Sequence, residues 1–411
     1  MNLSRITKNQ NVLHAIYIGM LCSSAYLAVY FAKNILGAAT PQMIESGYTE
    51  SYIGKVSSIY FIFYAIGQLV NGAIGDKIKA RYMISIGLLM AGITNVVFSR
   101  LSLYYADIAV IAYGFTGFFL AMIYGPMTKV VAENTEPIYA TRCSLGYTFA
   151  SFFGSPLAGV AAAVFIWQDV FLISCIVLIT MAAMCFFLFL RFEKKGVVKY
   201  NQYERKKEQG GSINVLIKHR IIKFTLISML TGVVRTTVVF WLPTYISQHL
   251  GFSSETSAVL FTTATFTISF TTFIAIFIYE RLNRNMDLTI LLMFISSSSF
   301  FMLVYLVKQP VLNIIFIIIA IMSSNGAATM LWSRYCPSLR DTGMVSSATG
   351  FLDFISYVAA ASSSTIFANA VSLIGWGNLI LVWFGLMIVG IIVALPYDKF
   401  SKKQADSVKA N

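Results

Sequence analysis

Uncharged apolar runs of about 20 residues recur along the whole chain, separated by short polar turns. Each run is long enough to cross the ~30 Å hydrocarbon core of a bilayer as a helix. The runs fall at 12–35, 52–72, 82–99, 103–128, 143–165 and 168–190, then at 222–246, 257–279, 288–307, 311–333, 343–368 and 376–396. The pattern predicts an all-α membrane protein with twelve transmembrane helices. A transmembrane barrel would show short alternating strands instead. The longest polar stretch, 191–221, divides the runs six and six. It predicts two six-helix bundles (1–190 and 222–397), a solvated linker between them and a polar tail at 398–411. Residues 1–11 are short and polar, and no A-x-A-like cleavage site follows the first run. That run is expected to stay as a helix.

Composition sharpens this picture. Of 411 residues, 57% are hydrophobic and 11% charged, under half the ~25% charged share of soluble domains, and the mean hydropathy is +0.74. A net charge of +13 would suggest nucleic acid in a soluble chain; here it sets topology. Twenty-five of the bases flank the side that carries both termini and the central loop. Four (Lys33, Lys55, Arg100, Lys308) lie toward the other side, and Arg235 falls inside a run. Both termini are therefore expected in the cytoplasm, with the chain in the inner or plasma membrane. The five cysteines lack paired or metal-like spacing and are expected as small packing residues. The histidines (His14, His219, His249) are scattered. "GYTESYIGKV" has the wrong glycine spacing for a phosphate loop. No metal, cofactor, nucleic acid or catalytic constellation is expected, so any transport would run on gradients.

The two halves also resemble each other. Pro41 answers Pro243, Gly47-Tyr48-Thr49 answers Gly251-Phe252-Ser253, and Asp76-Lys77 with Arg81 answers Glu280-Arg281 with Arg284, all near an offset of 202 to 204 residues. Duplicated bundles with a substrate site at mid-membrane are an architecture of secondary transporters.

Ionisable residues at depth are the strongest functional signal, because a charge at a helix centre costs about 2.5–3.5 kcal/mol on insertion scales. Arg235 lies roughly 20 Å into span seven and Asp353 roughly 15 Å into span eleven at ~1.5 Å per residue. They form either a structural ion pair or a site where Arg235 binds an anion and Asp353 orients it or exchanges protons. Tyr60, Tyr64 and Gln68 share one helical face. Lys33, Asn34, Asn325, Trp332 and Tyr357 are further lining candidates. Small-residue runs such as "AAASSS" (359–364) suit close helix contacts.

The polar turn "GAIGDKIKAR" (72–81) carries Gly72, Asp76, Lys77 and Arg81. It resembles the loop motif of the major facilitator superfamily, with Lys79 and Ala80 departing from the usual residues. The resemblance implies that these residues, with the repeat-related Glu280, Arg281 and Arg284, govern conformational switching. "YFAKNILGAATPQMIESGYTESYIGKVSSIYFIFYAIGQLVNGAIGDK", "VVRTTVVFWLPTYI" and "GMVSSATGFLDFISYVAA" look like the organophosphate:phosphate antiporter family, which includes glycerol-3-phosphate and hexose-6-phosphate carriers. The resemblance implies that Arg235 grips phosphate and that Lys33 follows the span-one grip position. That position is Ala32 here, the span-two lysine position is Gln68, and the span-five histidine position falls near Ala150. The scaffold thus resembles that family with most of its anion grip replaced.

The reading is a secondary active transporter, not an enzyme, moving a small anionic organic metabolite (an organophosphate or a carboxylate) by alternating access. It is expected to work as a monomer in the lipid bilayer, with phosphate or a proton as counter-ion. The alternatives are a proton-coupled carrier or exporter of a neutral or zwitterionic compound, and a transporter-like membrane sensor.

Overall fold

The computed structural model describes residues 3–75, 78–200, 217, 219–339 and 345–395. The described residues are helical, joined by turns, as an apolar solvent demands: helices satisfy their backbone groups internally. The helices are α1 (Leu3–Glu45), α2 (Glu50–Gly75), α3 (Ala80–Leu101), α4 (Ala106–Val131), α5 (Pro137–Val164) and α6 (Trp167–Lys194). They continue as α7 (Ile221–Gln248), α8 (Ser254–Arg281), α9 (Met286–Leu306) and α10 (Pro310–Tyr335). The helical segment Val345–Ala394 bends at Gly375 and so holds α11 (345–374) and α12 (376–394). Gly375 has φ 74°, a left-handed conformation that favours glycine.

Ten described segments are long and apolar enough to cross a membrane. One of them holds both α11 and α12, and α5 completes the twelve. The chain is a multi-pass membrane protein.

Several helices depart from the expected spans. α1 runs ten residues past 35, through Pro41, to Glu45. α4 is interrupted over 121–123, because Pro126 has no N–H for the Met122 carbonyl and its ring crowds that carbonyl. α7 widens into a π-helix over Val233–Val238, and the last turn of α10 does so over Leu331–Tyr335. α8 breaks at 269–270, where the Ser269 hydroxyl donates back to the Thr265 carbonyl at 2.8 Å and to Phe152 at 3.0 Å. Such back-bonding bends helices.

The described residues pack as two compact units. One is built from Met1–Glu208, Thr236–Ser269 and Tyr357–Leu373, the other from Gln209–Arg235, Phe270–Ser356 and Ile374–Asn411. The divisions in α7 and α8, and the one beside Gly375, coincide with helix irregularities.

The first unit has an aromatic core of Phe98, Tyr113, Trp167 and Phe171. Its helices come from both halves of the sequence. Gln248 donates to Glu50 at 2.6 Å, Ser58 donates to the Ala361 carbonyl at 2.5 Å, and Ser57 bonds Ser364. Thr237 donates to the Ala360 carbonyl at 3.0 Å. The "AAASSS" run thus makes close helix contacts. In the second unit Phe224 stacks on Tyr335 at 3.5 Å, and Phe301 packs on Trp383. All five cysteines are buried.

Candidate substrate site

Tyr26, Tyr30 and Lys33 lie at i, i+4 and i+7 on α1, which places them on one face. The Lys33 ammonium sits 5.1 Å from the Tyr30 ring centroid, 4.8 Å from Tyr64 and 4.6 Å from Tyr357. It also donates to the Tyr357 hydroxyl at 2.5 Å. A desolvated cation–π contact contributes ~2 kcal/mol or more, the same order as the ~2.5–3.5 kcal/mol cost of inserting a charge at a helix centre.

Around this aromatic cage the rings continue. Tyr26 lies 4.9 Å from Tyr30, 5.5 Å from Tyr124 and 6.0 Å from Tyr147. Tyr64 meets Tyr357 at 4.8 Å. Tyr60 turns the other way, into the packed core against Tyr113 at 5.1 Å. Its buried hydroxyl has no partner among the described residues. Gln68 is half-buried one turn beyond Tyr64. Asn34 donates to the carbonyl of Tyr30 on its own helix at 2.6 Å.

In the second unit Arg235 lies in the π segment of α7, and such segments recur at functional sites. Its Nη2 is 3.7 Å from Asp353 Oδ1 and 3.4 Å from Ser356 Oγ, and its guanidinium lies 5.8 Å from the Trp332 ring. The Arg235 and Asp353 side chains are 32% and 31% exposed. The Arg235–Asp353 separation is longer than the ~2.7–2.9 Å of a charge-assisted hydrogen bond.

Gly232 allows this arrangement. A Cβ there would lie 2.9 Å from the Ser356 carbonyl oxygen and 3.0 Å from its Cα, so α7 and α11 meet backbone to backbone. Ser228 adds a bond to the Leu352 carbonyl at 2.7 Å. Asn325 on α10 is half-buried, and its buried Oδ1 has no partner among the described residues.

Among the switch candidates, Asp76 and Lys77 lie outside the described residues, and Gly72 is in the last turn of α2. Arg81 is buried, 2.9 Å from Glu193 and 2.6 Å from the Tyr82 hydroxyl, with its guanidinium over Phe186. Tyr200 donates to the second oxygen of Glu193 at 2.9 Å. Burial, followed by this bond to a carboxylate, holds the Tyr200 phenol well above its ordinary range. Glu280, Arg281 and Arg284 lie at the α8–α9 turn, where both arginines are exposed, and Arg281 rests on Phe277 of its own helix.

Sequence reasoning missed Glu193 and Tyr200 because 191–221 reads as solvated linker. The start of that stretch is packed instead: Val197 and Val198 are buried, and the Lys199 amide donates to Asn134 Oδ1 at 2.6 Å. It also missed Tyr26, Tyr30, Tyr124, Tyr147 and Ser356. The α1 periodicity leading to Lys33 was the available signal for the first two. Asp107, in the first turn of α4, is exposed and accepts a bond from Lys55 at 2.7 Å.

Comparison with known proteins agrees with this architecture. The phosphoglycerate transporter protein of Salmonella typhimurium is 24% identical over 416 residues, covering 92% of this chain and 87% of the relative. The glycerol-3-phosphate transporter of Bacillus subtilis is 21% identical, covering 59% of each. The membrane sensor protein UhpC of Salmonella typhimurium is 32% identical over 90 residues, a region spanning 22% of this chain and 19% of that relative.

Among solved structures, a point mutant of the nucleoside transporter NupG superposes with a TM-score of 0.72 at 11% identity, covering 93% of this chain and 98% of that one. The D-xylose–proton symporter gives 0.69 at 14%, covering 93% and 95%. These likenesses show the fold. Residues 22–364 match the Major Facilitator Superfamily, and the chain belongs to that family of membrane transporters.

Proposed function

We propose that this protein is a secondary active transporter that moves a small organic anion, an organophosphate or a carboxylate, across the plasma membrane by alternating access, with both termini cytoplasmic. The observation that carries the reading is the Lys33 ammonium set within the long apolar helix α1 and ringed by Tyr30, Tyr64 and Tyr357. An ionisable residue inside a membrane helix is a functional-site candidate by default, and a lysine offers an anion its counter-charge. Relatives named for phosphoglycerate and glycerol 3-phosphate support an anionic metabolite.

The test is thermal stabilisation of the purified protein by glycerol 3-phosphate, 3-phosphoglycerate, glucose 6-phosphate and gluconate, followed by counterflow in liposomes. Stabilisation and counterflow by one of these anions, lost in Lys33→Gln, is the expected outcome. Stabilisation by uncharged compounds alone would defeat the reading. A second reading, a sensor, is favoured by the UhpC match; it predicts binding in detergent with no flux.

A further inference from the structure

Tyrosine rings and one ammonium form a continuous strip within the first unit, and an anion held by charge alone uses only its ammonium end. We propose that the strip beyond Lys33, formed by Tyr30, Tyr26, Tyr124 and Tyr147, is a ring-stacking subsite, and that the transported anion is an aryl carboxylate or aryl phosphate. The inference rests on the anion reading above and adds the chemistry of the anion's body.

The strip runs on from the lysine ring by ring. Tyr30 lies 5.1 Å from the ammonium, Tyr26 lies 4.9 Å from Tyr30, and Tyr124 and Tyr147 lie 5.5 Å and 6.0 Å from Tyr26. Favourable aromatic pairs have centroids ~4.5–7 Å apart, so a ligand ring can extend the array at the spacing it already has. A sealed core would bury every ring. Here Tyr147 and Tyr26 form a buried floor, Tyr30 is half-buried, and Tyr124 stands 41% exposed.

The local backbone leaves room beside that open ring. Tyr124 is the first residue after the interruption in α4. Among the described residues, a Cβ added at its neighbour Gly125 would meet nothing within 4 Å. On α5, a Cβ at Gly146, just before Tyr147, would meet the Ser23 hydroxyl at 3.0 Å and no other neighbouring atom within 4 Å. Between residues 21 and 41 of α1 the half-buried positions are Ser23, Leu27, Tyr30, Lys33 and Asn34. That is helical spacing, so the stripe carrying Lys33 is partly open along its length.

The arrangement selects for a flat ring. An acid seated on Lys33 lays the rest of a short molecule against Tyr30, then Tyr26, which follow one another along the same face of α1. An aryl ring gains both burial and the face-to-edge electrostatics of an aromatic pair. A saturated ring of the same size gains the burial alone.

Calorimetry on the purified full chain in detergent tests this with matched pairs: 3-phenylpropionate against 3-cyclohexylpropionate, and phenyl phosphate against cyclohexyl phosphate. The phenyl member of at least one pair should bind roughly 2- to 10-fold more tightly, and the pair that binds identifies the acid group. That ratio should fall toward parity in Tyr124→Leu and Tyr26→Leu and persist in Tyr124→Phe, which keeps the ring. A packing role alone would lower the melting temperature and leave the ratio unmoved. Equal affinity within both pairs, or a ratio unchanged in both leucine variants, overturns the subsite while leaving anion transport standing.

The uncharged 3-phenylpropan-1-ol and 3-cyclohexylpropan-1-ol repeat the comparison without the acid. A phenyl preference among the alcohols, with no binding of any acid, overturns the anion reading and keeps the stacking subsite. No phenyl preference among acids or alcohols overturns the subsite, whatever glycerol 3-phosphate and gluconate do.

Discussion

Gly232→Ala adds one methyl group where α7 and α11 touch. In an open helix that change is favourable by ~0.8–1.0 kcal/mol. Here the new Cβ would meet the Ser356 carbonyl oxygen at 2.9 Å and its Cα at 3.0 Å. The serine hydroxyl can rotate aside, but the backbone cannot, so α11 must move off by about half an ångström to restore contact at ~3.5 Å. Overpacking of this kind costs ~1–3 kcal/mol, which leaves a net loss of up to ~2 kcal/mol after the propensity gain. The same helix displacement carries Ser356 and Asp353 away from Arg235, so anion binding should weaken along with stability.

Gly385→Ala is the control, since a Cβ there meets nothing within 4 Å, and it should be neutral or stabilise by ~0.5–1 kcal/mol. Thermal unfolding in detergent measures the contrast, and anion counterflow reads the functional arm. A Gly232→Ala protein that melts at or above the Gly385→Ala protein, with unchanged flux, would refute the close-approach argument.

Other perturbations separate the remaining parts. Glu193→Gln removes the carboxylate from Arg81, whose side chain is 8% exposed, and should cost a large share of the ~3–5 kcal/mol typical of a broken buried pair. Tyr200→Phe should cost only ~1 kcal/mol, and equal melting temperatures for the two variants would discount the network. Tyr357→Phe keeps the ring beside Lys33 but removes the hydroxyl that accepts its bond. It should therefore weaken anion binding less than Lys33→Gln does, and the reverse order by calorimetry would count against the cage. Reporters fused after residue 205 and at the C-terminus should both read cytoplasm, from the 25-to-4 distribution of bases; either one outside would overturn the proposed orientation.

The membrane character, the number of crossings and the family were legible in the sequence because each rests on local information. Run length sets whether a helix crosses, and a bilayer leaves the backbone little other choice. The motif turn and "WLPTY" are contiguous strings. Arg235 and Asp353 stood out for the same reason, as charges within apolar runs, whereas Lys33 read as one of the four bases on the far side and became a candidate through the family resemblance.

Tertiary structure decided which groups meet. Lys33 finds Tyr357 across 324 positions of sequence, and no periodicity on α1 names that partner. Tyr60 and Tyr64 share a face on paper, yet packing sends one into the core and the other onto the lysine. Arg81 pairs with Glu193, because α6 runs beside α3 and the polar segment after it folds back onto the bundle. The repeat-related arginines at 281 and 284 stay exposed although their sequence context is similar. Sequence places a charge at a depth along one helix. Only the packing of helices against each other, set by where glycine and serine let two backbones close, determines whether that charge meets a ring, a carboxylate or water.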